Sequence, residues 1–149
     1  MYAADDRITG VIETIGPELI GRTIAWQFLA DRTVWALAYD RPLVNADLTA
    51  DAAIGYGVTN ELSTMVPYTV PQLWASAVDE HGWDGISYRT RFNTAPVATG
   101  VALFDEAGAH PSWPAQRVCG AADPAIIADL ASRSVTVEDP PKLASLTVL

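Results

Sequence analysis

The densest run of reactive side chains is Gly82-Trp83-Asp84-Gly85-Ile86-Ser87-Tyr88-Arg89-Thr90-Arg91. Ile86 opens a short strand that delivers Tyr88, Thr90 and Arg91 together at its end. A phenol, a hydroxyl and a guanidinium so placed suit a sugar hydroxyl or a phosphate. The same pattern suits a polar edge loop leading to a second strand at Val101-Ala102-Leu103-Phe104. Gly82 fits the left-handed position that closes a helix, and Gly85 reads as a further bend. Glu13 is the second candidate: it borders the apolar stripe of a helix, where a glutamate is either a solvated charge or one aimed at a site.

Other routes to chemistry are missing from the sequence. It has no G-x-x-x-x-G-K-S/T loop and no G-x-G-x-x-G, since Gly55-Tyr56-Gly57 lacks the third glycine. His81 and His110 have no companions at metal-ligand spacing, so no metal is expected. Cys119 has no histidine near it in sequence and reads as a structural thiol, and no serine sits in a nucleophile elbow.

The elements that must position these residues follow from periodicity. Tyr2-Ala3-Ala4 resembles a strand end. Asp5 or Asp6 caps a helix whose stripe is Ile8, Val11, Ile12 and Ile15, stopped by Gly16-Pro17. Thr23–Leu29 and Thr33–Tyr39 alternate and are expected as a hairpin about Ala30-Asp31-Arg32, with a helical turn over 25–29 as the alternative. Leu43–Leu48 is an apolar run closed by two cap residues, Asp47 and Thr49, and a short helix from Asp51 ends at Gly55 or Gly57. The clearest helix is capped by Thr69 and carries Val70, Leu73, Trp74, Ala77 and Val78 on one face, ending at Gly82. Asp123-Pro124 opens a helix that buries Ile126, Ile127 and Leu130; strands follow at 134–138 and, beyond Pro140-Pro141, at 143–149. The expected fold is one α+β domain over residues 1–149, a mixed or antiparallel sheet split around a cleft with helices outside. That cleft is expected to be lined by Tyr2, Glu13, Tyr88, Thr90 and Arg91.

Composition narrows the partners. Half of the 149 residues are hydrophobic and five are Trp, which excludes a disordered chain. Eighteen acidic residues against nine basic give a net charge of −9, which argues against binding nucleic acid or an anionic membrane and suits a basic protein partner. One cysteine permits no internal disulfide, and neither a membrane span nor a signal peptide is legible, so the expected location is cytoplasmic.

In order along the chain, Tyr2-Ala3-Ala4-Asp5 with a helix bearing Glu13, then Asp47-Leu48-Thr49, then Gly82–Arg91, then Val101-Ala102-Leu103-Phe104, resemble the RES-domain family. The resemblance covers residues 2–104, and the run from Gly82 is its most specific part. It implies a fold similar to ADP-ribosyltransferases and a toxin that acts on NAD, by hydrolysis, phosphorolysis or ADP-ribosyl transfer. It also implies a partner, an Xre-type antitoxin. Carried over, Glu13 and Thr90 are the catalytic positions, Thr90 standing where the family has serine, and Tyr2, Tyr88 and Arg91 are NAD-binding positions. The family's arginine motif lies on a strand ahead of its tyrosine, while this sequence opens at that tyrosine. The expectation is therefore a domain shortened at its N-terminus and feeble in activity. A non-catalytic member would only bind an antitoxin or pair with a second copy of itself.

The chemistry the resemblance implies has definite needs. Breaking the nicotinamide–ribose bond passes through an oxocarbenium-like state, which calls for negative charge near the anomeric carbon. Glu13 is the candidate for that charge, Arg91 for the diphosphate, and Tyr2 and Tyr88 for stacking on a ring.

Overall fold

The computed structural model describes residues 1–39, 41–105 and 114–139. Its centre is a small mixed sheet built from β1 (Tyr2–Ala4), β4 (Asn45–Asp47), β5 (Gly85–Arg89) and β6 (Thr99–Leu103), in the order β1-β6-β5-β4. β6 runs antiparallel to both neighbours, and β4 runs parallel to β5. Two further pairs stand apart: β2 (Thr23–Ala25) lies parallel to β8 (Thr136–Glu138), and β3 (Thr33–Leu37) lies antiparallel to β7 (Ala115–Gly120). β1 and β3 are therefore both edge strands among the described residues.

Helix α1 (Arg7–Ile15) forms where the sequence places it. Asp6 caps it, accepting the N–H groups of Ile8 at 2.9 Å and Thr9 at 3.0 Å, and Gly16–Glu18 finishes it as a 3-10 turn. The stripe Ile8, Val11, Ile12 and Ile15 is buried against Ile24, Leu29 and Val135 and against Ile126 and Leu130 of α5 (Pro124–Ser132). Asp123 caps α5 through the N–H of Ala125 at 2.9 Å. At roughly 1.5–3 kcal/mol for each large aliphatic side chain removed from water, this cluster is the main apolar contribution among the described residues. It fixes α1, and with it Glu13.

Several expectations are corrected. Thr23–Leu29 is not one strand: β2 ends at Ala25 and α2 (Trp26–Ala30) follows, so the hairpin with 33–39 does not form. Asp47 does not cap α3 (Asp51–Ile54); its carboxylate instead accepts the N–H of Thr49 at 2.8 Å in a local turn. α4 (Thr69–Glu80) begins at Tyr68 without a side-chain cap, and none of its residues is buried; Leu73 is 65% exposed. Of its apolar stripe, Trp74 and Val78 are half-buried, while Val70, Leu73 and Ala77 stay exposed. Gly82 closes α4 at φ +80°, as a left-handed glycine should. Gly85 makes no bend: it lies inside β5, where an added Cβ would meet the Ala102 carbonyl oxygen at 2.4 Å. The expected strand at 143–149, the break at Pro140-Pro141 and His110 lie outside the described residues.

Candidate functional site

Residues 13 and 90–93, far apart in sequence, meet because α1 packs beside the end of β5. The Glu13 carboxylate accepts three successive backbone N–H groups, from Arg91 at 3.0 Å, Phe92 at 2.7 Å and Asn93 at 2.8 Å. Successive amides pointing at one anion form a cradle for negative charge. Here the loop's cradle is filled by the protein's own carboxylate.

A second set of bonds fastens the same loop. The Asn93 side-chain amide donates to the Thr9 hydroxyl at 2.8 Å, and that hydroxyl donates to Asp6 at 2.5 Å. Thr9 is 1% exposed, so its hydroxyl is satisfied entirely within the fold. Burial alone would raise the Asp6 carboxyl, but the bonds from Thr9 and Ile8 outweigh it and hold the group below its ordinary range. Phe92 completes the fastening by lying on Gly16, where an added Cβ would fall 2.1 Å from the ring. Only glycine permits that approach at the helix end.

The resemblance-derived residues divide into two groups. Tyr2, Glu13 and Tyr88 line a cleft of about 1170 Å³ that opens between β1 and β3. Thr90 and Arg91, expected in the same lining, are not part of it. The Thr90 hydroxyl turns inward and donates to the Asn93 carbonyl at 2.6 Å, with a longer contact to Ala98. The Arg91 guanidinium stands 5.0 Å over the Phe92 ring. Arg89, just ahead of them at the end of β5, donates to the Pro96 carbonyl.

Tyr88 owes its place to sheet register. It pairs with Gly100, which pairs with Ala4, and the missing side chain at Gly100 makes room for the Tyr88 ring. Burial pushes the Tyr88 phenol up to about 12, with Tyr2 and Glu13 adding to the effect. It stays a neutral donor at any physiological pH.

Sequence reasoning missed Thr9, Asn93, Phe92 and Gly16 as parts of this site. The Asp6–Thr9 spacing was one available signal, because an N-cap residue commonly bonds to the third residue after it. Gly16 read only as a helix stop. Trp35 and Val118, which line the opposite wall, carried no signal at all.

Among the described residues no group of three or more His, Cys, Asp and Glu could hold a metal ion, and no helix is long and apolar enough to cross a membrane. No protein-family model, curated protein or solved structure matches the chain.

Proposed function

We propose that the chain acts on NAD, as the RES resemblance implies, by cleaving the bond between nicotinamide and ribose on an ADP-ribosyltransferase-like scaffold. The observation that carries this reading is the meeting of Glu13 with the loop that follows Thr90, beside a cleft that Tyr2 and Tyr88 also line.

In the proposed reaction the C1′–N bond breaks and its electron pair leaves with nicotinamide. Positive charge develops on the ribose, where a preorganised anion lowers the barrier. Glu13 suits that role because its carboxylate is already fixed. A carboxylate has roughly four lone-pair sites, and three are taken by the loop, leaving one on Oε2 for a ribose hydroxyl. Water, phosphate or a protein side chain then bonds to C1′ and gives up a proton, so hydrolysis, phosphorolysis and ADP-ribosyl transfer share this step. An Xre-type antitoxin that covers the cleft is the partner this reading calls for.

A second reading, a non-catalytic member that binds an antitoxin or a second copy of itself, is favoured by a separate observation. Val66, Tyr68, Val70 and Leu73 leave exposed apolar side chains on α4 and the segment leading into it.

The discriminating measurement is NAD loss and nicotinamide release by the purified chain at high concentration, beside Glu13→Gln. The expected result is slow turnover that falls about 100-fold in Glu13→Gln, in keeping with loss of one preorganised electrostatic group. No turnover in either protein would favour the binding-only reading. Equal turnover in both would remove Glu13 from the mechanism.

A further inference from the structure

Helix α4 carries two apolar faces. Pro71, Trp74, Ala75 and Val78 are half-buried and form the inner one, with β5 and the 3-10 turn Asn60–Ser63 packed beside the helix. Val70, Leu73 and Ala77 are exposed. Their spacing of three and then four residues sets them one above another along a second stripe, and Glu80, three further on, ends it. Val66 and Tyr68, both exposed, lead into the same helix. One exposed aliphatic residue needs no explanation, but a stripe at helical spacing has the form of a seam for another helix.

Charge decides what kind of helix. Residues 42–88 contain six carboxylates, Asp47, Asp51, Glu61, Asp79, Glu80 and Asp84, and no Lys or Arg. The cations at either end of that stretch are engaged: Arg41 pairs with Asp84, and Arg89, the last residue of β5, donates to the Pro96 carbonyl. His81, the one basic side chain within it, turns Nδ1 back to donate to the Ala77 carbonyl at 2.7 Å. Asp79 and Glu80 form no ion pair among the described residues. They also stand in the last turn of α4, where the backbone carbonyls already carry partial negative charge and a cation is favoured. The seam thus ends in negative charge that the described residues leave unbalanced.

We propose that the outer face of α4 docks an amphipathic helical segment of a basic protein. The segment's apolar residues lie on Val70, Leu73 and Ala77, and its Lys or Arg residues meet Asp79 and Glu80. Helix-on-helix recognition of this kind uses anchors at three- and four-residue spacing. A second copy of this chain suits the face less well. It would set two stretches without Lys or Arg against each other, and like charges so juxtaposed oppose pairing. The docking site rests on the surface named in the binding-only reading and gives that surface one class of partner. It does not depend on cleavage of NAD, since no α4 residue lines the cleft.

The test is fluorescence anisotropy with residues 1–149 and a labelled synthetic helix bearing leucines at three- and four-residue spacing, flanked by lysines. Beside it stands the same peptide with glutamate for every lysine. The lysine peptide is expected to bind about ten-fold tighter or more, and less tightly as salt is raised. Leu73→Ser, at an exposed position, should weaken it about ten-fold. Asp79→Lys with Glu80→Lys should weaken it as much and let the glutamate peptide bind instead. Glu18→Lys with Glu138→Lys, on other elements, makes the same change in net charge and should alter binding less than about two-fold. Equal affinity for the two peptides, no measurable binding of the lysine peptide, unchanged binding in Leu73→Ser, or equal loss from the two charge reversals would each overturn the proposal. Sedimentation showing the free chain paired with itself, and unpaired in Leu73→Ser, would assign the face to a second copy and overturn it too. NAD cleavage is read in a different assay, so that reading and this one fail separately.

Discussion

The Glu13 carboxylate accepts the backbone N–H of Phe92 at 2.7 Å, across 79 positions of sequence. The partner is main chain, so the bond does not depend on which side chain occupies position 92. What it requires is the loop's conformation, and three further contacts hold that. Thr9 receives Asn93, Gly16 receives the Phe92 ring, and Thr90 turns inward on the Asn93 carbonyl. Thr90 therefore shapes the loop that presents amides to Glu13. A threonine is well suited to this, since its β-branch limits the hydroxyl to few rotamers.

Gly16→Ala tests how firmly the loop is seated. The new methyl would lie 2.1 Å from Cγ of Phe92, so the ring must move away from the helix end. Overpacking of this kind costs about 1–3 kcal/mol. Urea unfolding should show that loss in the wild-type background and a clearly smaller one when Phe92 is already Leu, because contacting residues are not additive.

Tyr88 is one group through which alkali should act on the fold. Its phenol, ordinarily near 10, is raised to about 12 by burial, so the folded state resists ionising it. A group raised on folding contributes stability that is complete below its unfolded value and lost as pH climbs through the folded one. Stability should therefore fall between about pH 10 and 12, and Tyr88→Phe should flatten that limb. Absorbance titration should show a late tyrosine ionisation that Tyr88→Phe removes.

Asp84 is one carboxylate through which acid should act on the fold. Arg41 grips it through both guanidinium nitrogens, at 2.8 and 2.5 Å, and the Val44 N–H adds a third bond at 2.7 Å. The Arg41 bonds, then that of Val44, hold its carboxyl down to about 2, from an ordinary 3.8. A depressed carboxyl contributes stability above its unfolded value and loses it as pH falls through the folded one. Unfolding midpoints measured from pH 5 to 2 should drop less steeply in Asp84→Asn. Equal slopes would mean that the pair contributes nothing to acid stability.

The sequence carried much of the local structure and little of the pairing. The stripes on α1 and α5 were legible because both helices bury one face against a single cluster, the case for which 3.6-residue periodicity is informative. Asp123 and Gly82 were legible because caps are local. The hairpin failed because Ile24, Trp26 and Phe28 alternate across a strand end and a helical turn alike, and nothing nearby reveals that β2 pairs with β8. The stripe on α4 was legible as an apolar face, yet periodicity does not say how far anything covers it, and Leu73 stays 65% exposed.

For the site, the types and order of residues drew attention to Tyr2, Glu13 and Tyr88, which line one cleft. They could not say where hydroxyls and guanidiniums point. Thr90 turns away because a buried hydroxyl must find an acceptor, and the nearest are main-chain carbonyls of its own loop. Gly100 shows the limit from the other side, since its role exists only through the register that lays Tyr88 on it.

The strand pairings have a consequence for how the protein is made. Ile24 is matched with Val137, Val34 with Cys119 and Tyr2 with Ala102. Every sheet contact of the first three strands thus waits for residues synthesised much later. While the chain grows, α1 can form only as a weak, isolated helix, because short helices need tertiary packing to persist. Such long-range closure makes folding slow and leaves apolar segments exposed in the meantime. The cleft between β1 and β3 cannot exist until β7 has been synthesised, so whatever depends on that cleft begins only after residues 115–121 have been made.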